Sequence, residues 1–219
     1  NQDMNQVLEN SINTGAVFAA QKLGRDAFRT YVEKFGMGQK TGIELPGETD
    51  GDIASLNKKG DIFVATASFG QGITATPLQM ALAYGAIANG GTLMKPYVVD
   101  TITIPNGETI HSTPHAVQRV LSPSTARMVR DMLRRVVEKG HGKRAAVEGY
   151  TVGGKTGTSQ VAKKNAKGYE EGITIGSFVG FAPVEHPRFV MAVRLDNPQD
   201  VVYAESTAAP LFGQIAKHQ

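Results

Sequence analysis

Cysteine is absent from the chain. That excludes a disulfide scaffold, a thiolate zinc cluster and a thiol nucleophile, and it suits an oxidising compartment. No stretch approaches the roughly 20 apolar residues needed to cross a bilayer, and no basic-then-apolar leader opens the sequence. The excess of one charge sign is small, with 23 Lys and Arg against 20 Asp and Glu. Basic residues are scattered, and their densest cluster, Arg130, Arg134 and Arg135, falls at helical spacing without interleaved aromatics. It reads as a solvated helix face, so no nucleic-acid partner is expected. Repeats, low-complexity tracts and Pro/Ser-rich linkers are also lacking. With 219 residues, 41% of them hydrophobic, the chain suits one domain or a large part of one, with enough apolar material for a core.

What is present divides the chain in two. Met4, Val7 and Leu8 sit at helical spacing directly after Asn1-Gln2-Asp3, as in the middle of a helix, so a truncated or cleaved product is expected. Helices follow over Val17 to Leu23, closed by Gly24, and over Arg25 to Phe35, with a core stripe of Phe28, Tyr31, Val32 and Phe35. Residues 36 to 75 are rich in glycine and turns. Thr76-Pro77-Leu78-Gln79 then has the form of a capping box with proline in the first turn. It starts a helix of small residues through Ala88 that suits a central position. Pro105-Asn106-Gly107-Glu108 joins Tyr97–Ile104 to Thr109–His111 as a hairpin, and Ser122 opens a helix whose apolar face is Met128, Val129, Met132, Leu133 and Val136. The last third reads as strands over Tyr150–Thr158, Ile173–Ala182 and Arg188–Asp196, a polar loop from Ala162 to Gly172, and a helix over Ala204–His218. A helical part over about 1–140 and a strand-rich part over about 150–219 imply an α+β domain, an antiparallel sheet packed against helices.

Two motifs compete for Lys155. Gly149 to Thr156 satisfies the phosphate-binding pattern G-x-x-x-x-G-K-[ST]. That pattern works only between a buried strand and a helix N-terminus. Here Arg144 to Glu148 makes a poor buried strand, the residues after Thr156 carry no helical stripe, and Arg194 breaks the run that would lead to a magnesium-binding Asp196. The competing reading is Lys155-Thr156-Gly157 on an edge strand facing a cleft. There Lys155 supplies positive charge, the Thr156 and Thr158 hydroxyls bind a carboxylate, and Gly157 lets substrate approach the backbone. Ser11-Ile12-Asn13 lies 144 residues upstream of this lysine; taken alone, Ser11 and Asn13 read as structural, since such residues commonly cap helices.

In order and spacing these segments resemble the transpeptidase domain of class B penicillin-binding proteins. The likeness takes in Phe35-Gly36-Met37-Gly38, Leu45-Pro46-Gly47-Glu48, Ser68-Phe69-Gly70-Gln71-Gly72-Ile73, Thr76-Pro77-Leu78-Gln79, Ala88-Asn89-Gly90-Gly91 and Gly180-Phe181-Ala182-Pro183, and covers nearly the whole chain. Lys95-Pro96-Tyr97-Val98 and Gly153-Gly154-Lys155 lean toward the division and sporulation branch. The resemblance implies a penicillin-binding-protein/serine β-lactamase-like fold and serine acyl transfer, cross-linking peptidoglycan stem peptides and blocked by β-lactam antibiotics. By motif, Ser11 would relay a proton, Asn13 would bind the substrate amide, and Lys155 would orient Ser11. Thr156, Gly157 and Thr158 would hold the substrate, with the Thr158 N–H as half of an oxyanion hole. No cofactor or metal is implied. The expected setting is the outer face of the bacterial cytoplasmic membrane, reached by an N-terminal anchor, with cell-wall synthesis partners such as a glycosyltransferase.

One departure matters. The family's nucleophile lies in a Ser-x-x-Lys motif upstream of Ser-x-Asn. The one match here, Ser55-Leu56-Asn57-Lys58, is downstream and reads as chance, in a surface loop with no apolar helix after it. The nucleophile is therefore expected in an upstream segment of the same domain, the N-terminal part of the fold is expected to be missing, and this chain alone is expected to be inactive. A β-lactam sensor or division scaffold without catalysis, and more remotely a P-loop nucleotide binder, are the alternatives. His111, His115, His141, His186 and His218 show no metal-ligand spacing with acidic residues and read as surface positions, and Glu44, Glu48 and Asp50 sit in turns.

Overall fold

The Asp3 carboxylate accepts the Gln6 N–H, and the Gln6 side chain accepts the Asp3 N–H in return. This capping box starts α1 (Met4–Glu9), so the opening segment begins a helix and is not the middle of one. It belongs to a computed structural model that describes residues 2–163, 168–199 and 201–219. α2 (Asn13–Leu23) starts four residues ahead of the expected Val17 and stops at Gly24, whose φ of 85° leaves helical space. α3 (Arg25–Lys34) follows directly. Phe28 and Val32 of its stripe pack with Ala20, Leu56, Val64 and Ala67, and Phe35 joins Ala86, Leu93 and Val120. Tyr31 instead faces solvent beneath the Lys34 ammonium.

The glycine-rich stretch hides a 3₁₀ turn (Ala54–Asn57) and α4 (Asp61–Ala67), an apolar helix too short to show a periodic stripe. The Thr76 box starts α5 (Pro77–Ala88) as expected. Its buried Gln79 also donates to the carbonyls of Gln39 and Asp50, tying two turns of the preceding loop to the helix. β1 (Thr92–Lys95) pairs antiparallel with β4 (His115–Arg119), and β2 (Thr101–Thr103) with β3 (Thr109–His111) as the expected hairpin. α6 (Pro123–Lys139) is capped by Ser122 and buries Ala126, Leu133, Val136 and Val137. Met128, assigned to its apolar face, is 63% exposed. Ala126 and Val137, which the expected face left out, are buried instead.

β5 (Gly153–Ala162), β6 (Tyr169–Ala182) and β7 (Phe189–Asp196) form an antiparallel sheet in that order, followed by a 3₁₀ turn (Ala204–Ser206) and α7 (Ala208–Ala216). The expected loop from Ala162 to Gly172 is shortened by the strands on both sides, and its residues 164–167 lie outside the described residues. One sheet face packs Phe178 and Val193 on Ala208, Ala209 and Phe212 of α7, with the Phe178 and Phe212 ring centroids 4.7 Å apart. The other sets Phe181 and Val184 against Ala88 of α5 and Leu133 of α6. The α+β arrangement, a sheet between helices, is the one expected. Full burial of each phenylalanine contributes about 2–3 kcal/mol. It also leaves no room above them: a Cβ at Gly154 would lie 2.5 Å from the Phe178 ring.

The N-terminal helices reach the sheet through a tight joint. Arg135 of α6 donates to the Glu9 carboxylate at 2.8 Å, and Glu9 is buried. The His141 N–H donates to the Glu9 carbonyl at 3.0 Å, and a Cβ on Gly140 would lie 2.2 Å from that oxygen. Gly140→Ala is therefore expected to push α1 off α6 and destabilise the fold by about 1–3 kcal/mol, read as a lowered denaturant midpoint; an unchanged midpoint would show that the joint is slack.

Candidate active site

The end of α1 builds the first wall. The Ile12 N–H donates to the Val7 carbonyl (2.9 Å) and the Ser11 N–H to Leu8 (3.3 Å), the paired bonds of a Schellman motif. The residue between, Ser11, takes φ 52°, the left-handed conformation that such a position usually assigns to glycine. A serine there costs on the order of 1–2 kcal/mol, and strain of that kind gathers at functional sites. Gly15 of α2 keeps the turn tight, since a Cβ there would meet the Val7 side chain at 2.4 Å.

β5 builds the second wall as the free edge of the sheet. Lys155 Nζ donates to Ser11 Oγ at 2.9 Å and to the Thr156 carbonyl at 3.0 Å. Burial holds this lysine down at about 8, and no carboxylate among the described residues partners it. It is still mainly an ammonium at neutral pH. Because its pKa falls on folding, the unfolded chain holds more protons between about pH 8 and 10.5, and stability rises with pH across that window.

Between the walls lies a cleft of about 610 Å³ that takes in Ser11, Asn13, Phe69, Gln71, Thr156, Gly157, Thr158 and Tyr203. The structure thus brings the sequence-derived residues to one place, with differences in detail. Lys155 sits behind Ser11 and Thr156 and not on the cleft surface. Thr158 Oγ1 accepts the Ala204 N–H at 3.0 Å, which fixes the hydroxyl and leaves its proton free to donate. Gly157 is needed first by its neighbour: a Cβ would stand 2.8 Å from Ser177 Oγ, which donates to the Gly157 carbonyl. The Asn13 side chain makes no hydrogen bond among the described residues. Sequence reasoning missed Phe69, Tyr203 and the pair His141–Glu205, all at the cleft. His141 is exposed, as a surface position should be, and meets Glu205 at 2.6 Å; only the Gly140-His141-Gly142 break after α6 hinted at the pair.

The rival motifs separate cleanly. Residues after Lys155 continue a strand, so no helix N-terminus is there to cradle phosphate. Ser55 is not in a plain surface loop: it lies on the 3₁₀ turn before α4 with its hydroxyl buried and unpaired, while Lys58 reaches over the Phe63 ring. No group of three or more His, Asp and Glu among the described residues is placed to hold a metal.

The family model of the penicillin binding protein transpeptidase domain matches residues 1–217. The chain belongs to this family. Among its relatives, stage V sporulation protein D of Bacillus subtilis is 41% identical over 97% of the chain, and penicillin-binding protein PbpB of Mycolicibacterium smegmatis is 37% identical over 96%. The chain spans about a third of their lengths (33% and 34%). A solved structure of penicillin-binding protein 3 from Mycobacterium tuberculosis superposes with TM-score 0.89 at 34% identity, covering 97% of this chain and 50% of that one. The transpeptidase domain of penicillin-binding protein 3 from Burkholderia pseudomallei gives 0.84 at 34% identity, covering 97% and 62%. These relatives are penicillin-binding proteins of class B, and a sporulation protein is among them.

Two measurements probe the site itself. Ser11→Gly is expected to raise the unfolding free energy by on the order of 1 kcal/mol as the left-handed strain is relieved; a loss of stability would show that the hydroxyl's bond to Lys155 outweighs the strain. In ¹³C-methylated protein, the Lys155 resonance is expected to titrate near pH 8, apart from surface lysines near 10.4.

Proposed function

We propose that this chain carries the Ser-x-Asn and Lys-Thr-Gly parts of a serine D,D-transpeptidase site, completed by an upstream segment of the same domain that brings Ser-x-x-Lys. The observation that carries this reading is the 2.9 Å contact from Lys155 Nζ to Ser11 Oγ at the wall of the cleft, between residues 144 positions apart. Neither a structural cap nor a phosphate loop needs that contact. Family membership supports the chemistry, and the matched M. tuberculosis protein has been solved with aztreonam and with ampicillin.

In this reading a serine of the upstream segment attacks the penultimate D-Ala carbonyl of a stem peptide. Terminal D-Ala departs, and an amine of a second stem resolves the acyl-enzyme. The roles follow from placement. Lys155, desolvated and cationic, polarises Ser11 Oγ, which passes a proton toward the leaving group. Its charge also depresses the pKa of the incoming Ser-x-x-Lys lysine, letting that lysine act as a neutral base. Asn13, exposed at the start of α2, holds the substrate amide. The Thr156 and Thr158 hydroxyls hold its carboxylate, and the Thr158 N–H on the sheet edge serves the oxyanion. β-Lactams enter as mimics and stay on the serine. The working place of the whole protein is the cell envelope, with the domain outside the cytoplasmic membrane and held by an anchor; no helix among the described residues is long and apolar enough to cross a membrane. A glycosyltransferase is the natural partner in building the wall.

The test is a fluorescent penicillin added to the full-length protein and to this 219-residue chain, followed by intact mass spectrometry. Label is expected on the full-length protein, upstream of Asn1, and not on the chain alone. Lys155→Ala is expected to slow acylation by about 10²–10³, the scale set by one lost transition-state donor. Label on the 219-residue chain itself would overturn the reading and direct mapping to Ser55.

A further inference from the structure

The cleft contains a pair that neither motif accounts for. His141 follows the end of α6, and its N–H is bonded to Glu9, two residues before Ser11. Glu205 lies in the 3₁₀ turn whose Ala204 N–H is bonded to Thr158. Their side chains meet, Nδ1 to Oε2 at 2.6 Å, so the pair joins the Ser11 wall to the Thr158 wall. Both are about half exposed (48% and 42%), and an exposed pair of this kind contributes little to stability. The turn has its own anchor, since Ala204 is fully buried. Among the described residues Glu205 is the one carboxylate lining the cleft, Glu9 being turned toward Arg135. His141 Nε2 has no partner among the described residues.

The cleft is therefore two-ended. Lys155, Thr156 and Thr158 suit an anion, whereas a carboxylate with an imidazole behind it suits a cationic amine. We propose that His141 and Glu205 form the subsite for the primary amine that accepts the acyl group, an inference that rests on the transpeptidase reading. An acceptor arrives as an ammonium, which cannot attack. Glu205 holds the Nδ1–H of the ring, leaving Nε2 as its lone-pair nitrogen. Nε2 takes one proton from the ammonium, and the imidazolium formed is stabilised by Glu205. The freed nitrogen lone pair forms the C–N bond at the acyl carbonyl as the C–O bond to the nucleophilic serine breaks. A second amine proton goes to that serine oxygen, the third stays on the new amide, and the imidazolium returns its proton to water.

The experiment uses the full-length protein with an N-acyl-D-alanyl thioester donor and glycinamide as the amine, measuring aminolysis against hydrolysis. Acylation by fluorescent penicillin, in which no amine takes part, serves as the control for a folded site. His141→Ala and Glu205→Gln are expected to lower the aminolysis-to-hydrolysis ratio at least about tenfold and to raise the half-saturating glycinamide concentration similarly, as for loss of one charge-assisted contact. Glu205→Asp is expected to restore most of the ratio. An unchanged ratio with acylation intact would overturn the proposal. So would loss of acylation in the variants in parallel with aminolysis, which would make the pair a structural brace. Absence of penicillin acylation in the unmodified protein would instead remove the transpeptidase reading, and this proposal with it.

Discussion

The close seat of α1 on the end of α6 is the constraint on which the site depends. Ser11 and Lys155 lie 144 positions apart in the chain, and a 2.9 Å contact between them requires both carriers to be held without slack. Gly140 permits backbone contact, the His141 N–H takes the Glu9 carbonyl, and Arg135 neutralises the buried Glu9 carboxylate. Such a pair is a weak source of net stability but a penalty against a misplaced register, because the buried Glu9 carboxylate left alone is costly. Here the arrangement serves placement more than strength.

From that joint the rest follows by packing. α6, seated on α1, also presents Leu133 to Phe181 of the sheet, so the helix that locates Ser11 locates β5 as well. α7 closes the other face through Phe212 on Phe178. The two glycines before Lys155 let β5 pass close over these rings, and the strand emerges at the sheet edge with Thr156, Gly157 and Thr158 at the cleft. Gly154, which completed the phosphate-loop pattern, is there for the Phe178 ring, while the pattern's other glycine, Gly149, has φ 81° and no neighbour within 4 Å of where its Cβ would stand.

Ser11 shows function set against local stability. A Schellman turn favours glycine at its left-handed position, and the chain keeps a serine there, placing a hydroxyl where the buried ammonium reaches it. Lys155 carries a second cost, the desolvation that lowers its pKa to about 8. Both are tolerated because the surrounding packing over-determines the geometry.

Much of this was legible before any coordinates. Short-range chemistry determined the Thr76 and Ser122 helix starts, the Gly24 stop, the Asn106-Gly107 hairpin and the three strands, since caps, turns and alternation act within a few residues. Order and spacing of the motifs determined the family. Tertiary structure alone decided what depends on contacts distant in sequence. It set which face of α6 is buried, with Ala126 in and Met128 out, and it held short α4 as a helix by packing alone. It likewise brought His141 to Glu205, 64 positions apart, and placed Lys155 behind Ser11 instead of on the cleft surface. The local pattern names candidates, but burial, charge state and reach arise only when distant segments exclude water from between them.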